Sequence, residues 1–120
     1  VMRGAFLIHK AYQKDPQVMP AKEVYKMGTS MGADAMGLVN GGKLQKGYLA
    51  DIITIDIDTP TPINEYNVYD QLILFRNPDN VRNVMVNGQF LKRNGKLLTI
   101  DEEQAKKEIF EATNRFWTGK

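Results

Sequence analysis

Cysteine is absent from the 120 residues, and histidine occurs once, at His9. Without cysteine no disulfide can staple the fold, and the composition suits a reducing compartment, so a cytoplasmic location is expected. A zinc or iron site takes at least three ligands drawn from His, Cys and carboxylate. No H-x-H, H-E-x-x-H or C-x-x-C spacing supplies them here. The chain is therefore expected to hold no catalytic residue, no cofactor-binding residue and no metal ligand of its own. Charge of one sign is also scarce: 16 Lys and Arg stand against 14 Asp and Glu, a net +2 that implies no nucleic-acid partner. Basic residues are scattered, with Lys106-Lys107 set among Glu102, Glu103 and Glu108 in the pattern of a solvated helix face. No apolar run approaches the roughly 18 residues a membrane span requires, so no membrane partner is expected.

What is present reads as an α+β chain. Met2, Ala5, Phe6, Ile8, His9 and Tyr12 recur at helical spacing, and Asp15-Pro16 ends that helix because proline restricts the residue before it. Pro20 stands where helices begin, ahead of Ala21, Val24, Tyr25 and Met27. A third short helix over 32–36 closes at Gly37. From Ile53 the sequence alternates, predicting a strand over 51–58 with Ile53, Ile55 and Ile57 on one face and Thr54, Asp56 and Asp58 on the other. Thr59-Pro60-Thr61-Pro62 stops it. Tyr66 to Phe75 is open between helix and strand. Residues 82–86 and 89–93 read as strands joined by Asn87-Gly88, a two-residue hairpin turn, and Asn94-Gly95 marks another turn. Asp101 caps a final helix near 101–117, with Ala105, Ile109, Ala112 and Phe116 in one stripe.

Gly41-Gly42, Leu44, Gly47 and Ala50-Asp51, running into Ile52–Asp56, form the most informative segment. By itself this run also reads as an ordinary glycine-turn hairpin. It is preceded by Met2-Arg3-Gly4-Ala5-Phe6-Leu7-Ile8-His9-Lys10, Pro20-Ala21-Lys22-Glu23-Val24 and Met27–Leu38. It is followed by Tyr69–Leu74, Asn80–Gly88 and Gln89-Phe90-Leu91. In order and spacing, over nearly the whole chain, these segments resemble the deaminase and chlorohydrolase branch of the amidohydrolase superfamily, which holds guanine, S-adenosylhomocysteine and triazine hydrolases. The resemblance implies a C-terminal segment of a metal-dependent hydrolase. Helices from the end of a (β/α)8 barrel would fill 1–40, part of a composite β-sandwich 41–98, and a C-terminal helix 99–120. It further implies zinc or iron in the parent enzyme, whose metal-bound water attacks a ring carbon to break a C–N or C–Cl bond.

The barrel alone needs about 250 residues. The family's last metal-linked Asp would fall upstream of Val1, and the missing Met at position 1 fits an internal start. The 120 residues alone are thus expected to be structural and inactive, with the rest of the parent hydrolase as partner. The Ile53-Ile55-Ile57 face and an unpaired strand edge would favour homo-oligomers. A freestanding, non-catalytic protein-interaction module is the alternative.

Several residues invite a chemical role, and each has a plainer one. His9 has no carboxylate at i±3 or i±4 and reads as helix packing. Asp56 and Asp58 share a strand face, but no glycine-kinked acidic loop surrounds them, so a solvated face is expected. Gly28-Thr29-Ser30-Met31-Gly32 lacks phosphate-loop spacing. Met19, Met27, Met31 and Met36 read as core filler. Asp51, at the head of a buried-looking strand, must find donors; the resemblance, in which this Ala-Asp joins the sandwich to the barrel, implies that it clamps backbone N–H groups.

Overall fold

A computed structural model describes residues 1–119. The first helix, α1 (Met2–Gln13), ends where Lys14 turns left-handed at φ 54°, two residues before Pro16. Pro20, extended at φ −60°, ψ 151°, precedes α2 (Ala21–Met27). The next, α3 (Ser30–Ala35), closes in a Schellman turn: Gly37 N–H donates to Asp34 O at 3.0 Å and Leu38 N–H to Ala33 O at 2.9 Å.

Four antiparallel strands follow in the order β1-β2-β3-β4. They are β1 (Ile52–Ile55), β2 (Val81–Val86), β3 (Gln89–Arg93) and β4 (Lys96–Leu97). Both hairpin turns have the mirror-image geometry that matches strand twist, with φ 47° at Asn87 and 50° at Asn94. The predicted 51–58 strand is shorter than its alternation suggests. The register slips between Thr54, paired with Asn83, and Ile55, paired with Val81, so the extra residue, Arg82, lies on β2. Ile53 and Ile57 are 55% and 51% exposed, while Ile55 is half-buried, so the three do not form one covered face.

The open segment Tyr66–Phe75 contains a helix, α4 (Val68–Leu74). Tertiary packing decides it: Tyr69 and Ile73, one helical turn apart, both face α2. The Tyr69 ring stands 5.2 Å from that of Tyr25, and Ile73 joins Ala21 and Val24 in the only core cluster among the described residues. Phe6, Ala5, Met19 and Leu74 complete that cluster, which is thus built from α1, α2 and α4. The other methionines assigned to the core, Met27, Met31 and Met36, are exposed instead.

The last helix, α5 (Glu102–Thr118), begins as its cap demands, with Asp101 Oδ1 accepting from the backbone of Glu103 and Gln104 at 3.1 Å each. Its apolar stripe covers nothing: Ile109, Phe110, Phe116 and Trp117 are 66–78% exposed. The chain as a whole exposes 9,670 Å², whereas a compact folded monomer of this mass exposes about 6,600 Å². Its radius of gyration is 18.3 Å, against about 14 Å for a compact chain of this length.

Candidate functional site

The segment 41–51 joins the helices to the sheet, and its geometry explains its residues. Gly42 sits at φ +69° against the start of α3, where an added Cβ would lie 2.7 Å from Ser30 Cα and from Thr29 O. Only glycine permits that backbone-to-backbone contact together with that φ. Leu49 N–H then donates to Asn40 O at 2.7 Å, closing the loop. At its far end Asp51 Oδ1 accepts from Asn87 N–H at 2.7 Å, while Gly88 N–H donates to Ala50 O at 3.1 Å. Asp51 is therefore a backbone clamp, as its sequence position implied. It is exposed, however, because it grips the solvent-facing β2–β3 turn from outside.

Two residues of the first helix bond beyond it, Arg3 at long range and Lys10 to the adjoining loop, and no local pattern foretells either. Arg3 donates through Nε to Ile73 O at 3.2 Å, and through Nη2 to Arg76 O at 3.0 Å and Asn77 Oδ1 at 3.2 Å. It thereby serves carbonyls at the C-terminal end of α4, where a cation also suits the helix dipole. Lys10 donates to Pro16 O at 2.6 Å and Val18 O at 2.7 Å, with its ammonium 4.4 Å from the centre of the Phe6 ring. One lysine thus pins the α1–α2 loop to its own helix. Beside Arg3, the Arg76 Nε and Nη2 atoms are buried without an acceptor among the described residues.

The remaining candidates are not brought together. His9 is exposed on α1. Asp56 Oδ2 lies 4.0 Å from Arg82 Nε in a half-exposed pair, and Asp58 is exposed beyond the end of β1. A Cβ at Gly28 would meet Met2 Sδ at 2.6 Å, and one at Gly32 would meet Met27 O at 2.8 Å, so this run serves close helix packing. On exposed α5 a 2.9 Å hydrogen bond holds Glu103 below and Lys106 above their ordinary ranges. An open groove of ≈ 640 Å³ runs beside Phe6, Lys10, Lys22, Tyr66 and Tyr69. Its lining contains no histidine, cysteine, serine or threonine.

A chain whose recurrent motifs serve as pins between helices and sheet is defined by its family, and comparison with known proteins supplies it. The amidohydrolase family matches residues 1–91, and the chain belongs to that family. Among curated relatives, it is 39% identical over 105 residues to a 5-methylthioadenosine/S-adenosylhomocysteine deaminase of Caldicellulosiruptor saccharolyticus, a match covering 88% of this chain and 24% of that protein. It is 36% identical over 114 residues to a 5'-deoxyadenosine deaminase of Methanococcus aeolicus, covering 95% of this chain and 26% of the relative. The chain spans about a quarter of the length of these relatives.

Among solved structures, an adenosine deaminase from Xanthomonas campestris with bound zinc superposes with a TM-score of 0.86 over 98% of this chain and 27% of its own, at 23% identity. That match establishes the mixed helix and antiparallel-sheet fold. Atrazine chlorohydrolase from Arthrobacter aurescens, complexed with zinc, gives 0.75 at 27% identity over 89% of this chain and 24% of its own. Among the described residues no group of three or more His, Cys, Asp or Glu side chains is placed to hold a metal. No helix among them is long and apolar enough to cross a membrane.

Proposed function

We propose that this chain is the C-terminal quarter of a metal-dependent amidohydrolase that deaminates an adenosine-type nucleoside. The observation that carries this reading is the 39% and 36% identity to two curated nucleoside deaminases over nearly the whole chain. The likeness to the chlorohydrolase, at 27%, is weaker. In this reading residues 1–40 supply helices that lie on the barrel, 41–98 part of a β-sandwich, and 99–120 the terminal helix. The metal, zinc or iron, and the proton-transferring groups belong to the rest of the polypeptide. That remainder is also the principal partner, and the β1 edge is a second surface through which copies associate in the cytoplasm.

The surface supports the division of labour. About 3,100 Å² more is exposed than a compact chain of this mass leaves open, and two buried Arg76 nitrogens lack acceptors among the described residues. Residues 1–119 then act as scaffold: Arg3, Lys10, Gly42 and Asp51 hold helices and sheet in register for the catalytic body. A freestanding interaction module is not favoured, because the family match runs through the motifs rather than beside them.

The test is to produce the complete protein containing this chain and offer it 5-methylthioadenosine, S-adenosylhomocysteine and 5'-deoxyadenosine. Ammonia release that a chelator abolishes and zinc restores is expected, whereas the 120 residues alone should neither turn over substrate nor take up stoichiometric zinc. A complete protein inert toward all three nucleosides, or a zinc-loaded and active 120-residue chain, would overturn the reading.

A further inference from the structure

We infer, resting on the reading of the chain as part of a larger hydrolase, that the apolar stripe of α5 is a docking face for the remaining polypeptide of that enzyme, and that α5 is a stable helix only there. The stripe combines Ile109, Phe110, Phe116 and Trp117, all at least 66% exposed, with Phe116 and Trp117 edge-to-face at 5.1 Å. Aromatic side chains bury 150–250 Å² each, so the three aromatics with Ile109 present on the order of 500 Å² of apolar surface. That lies near the upper end of the largest patch on an ordinary monomer.

A helix of 17 residues without packing has little to hold it, since helices in proteins draw most of their stability from a buried face. The Asp101 cap contributes at one end only. Yet α5 has a defined place: the superposition on the adenosine deaminase takes in 98% of this chain, within a protein of which it is only 27%. The helix direction therefore belongs to the fold, although nothing among the described residues covers its apolar side.

The area identifies the occupant. A standard contact between two proteins takes about 800 Å² from each partner, and the surplus exposed by this chain is about four times that. It is also spread over Leu7, Ile8 and Tyr12 of α1, Ile53 of β1 and the α5 stripe. One second copy does not cover surfaces so extensive and so dispersed; a body about three times the size of this chain does. A membrane surface fits less well. Residues 102–118 carry four acidic side chains (Glu102, Glu103, Glu108, Glu111) against three basic ones (Lys106, Lys107, Arg115), where interfacial helices are rich in Lys and Arg.

Hydrogen exchange on two samples, the 120-residue chain and the complete protein, tests this without reference to turnover. In the chain alone, α5 amides should exchange within about tenfold of free-peptide rates while the α2 amides around Val24 stay protected. In the complete protein, α5 protection should rise at least about 100-fold. The double variant Ile109→Asp/Phe116→Asp should abolish that gain and raise exchange in peptides outside residues 1–119. The same variant should leave the melting of the 120-residue chain unchanged. Protected α5 amides in the monomeric chain would overturn the inference, as would protection that appears only on dimerisation or on adding anionic vesicles. An active complete protein with freely exchanging α5 would sink the inference alone. Protected α5 in a protein without deaminase activity would sink only the deaminase reading.

Discussion

Gly42 and Gly47 carry the same sign of φ, +69° and +86°, in entirely different surroundings. Replacing each with alanine separates the cost of conformation from the cost of contact. At Gly47 the added Cβ meets nothing within 4 Å, so only the left-handed backbone is penalised, by about 1–2 kcal/mol. At Gly42 the same penalty applies, and the Cβ also lies 2.7 Å from Ser30 Cα and Thr29 O and 2.9 Å from Ser30 N. Carbon pairs prefer about 3.5–4.0 Å, so the overlap is close to 1 Å. All three opposing atoms are backbone, and no side chain can swing aside to relieve it. Overpacking of this kind adds about 1–3 kcal/mol. Gly42→Ala should therefore lose about 3–4 kcal/mol in urea unfolding followed by far-UV circular dichroism, roughly 2 kcal/mol more than Gly47→Ala. Equal losses within about 0.5 kcal/mol would show that the loop does not bear on α3 as described.

Arg3→Met removes three hydrogen bonds at the end of α4 and should cost about 2 kcal/mol. Arg3→Lys should fail to rescue it, because an ammonium lacks the planar fork; full rescue would argue against the bond pattern. Asp51→Ala should cost about 1 kcal/mol and speed amide exchange at Asn87, while Asp51→Asn, which keeps an acceptor, should leave that amide slow. For Glu103 the folded pKa is lowered by its hydrogen bond and charge attraction to Lys106. Its contribution is present above the unfolded pKa and fades as pH falls through the lower folded value. An NMR titration should show Glu103 below the ordinary glutamate range, with Lys106→Met returning it toward normal; no change on that substitution would refute the pairing.

Periodicity and turn chemistry by themselves determined most elements of this chain. The helical spacing of Met2–Tyr12, the hairpin at Asn87-Gly88 and the Asp101 cap are local patterns, and local sterics and hydrogen bonds suffice to make them. The same sequence carried the family through Arg3, Lys10, the glycine pair and Asp51. What those motif residues do was settled only in three dimensions. Arg3 reaches partners more than 70 residues away, and Asp51 reaches one 36 residues away. Whether 66–75 is helix or strand was likewise decided by Val24, since a short apolar run takes the form of whatever buries it. The slip in the β1–β2 register comes from an extra residue, Arg82, on β2, and the alternation of β1 cannot foresee it. The α5 stripe shows the limit from the other side. Amphipathicity predicts that a face will be buried, but only tertiary structure shows that nothing among the described residues covers it.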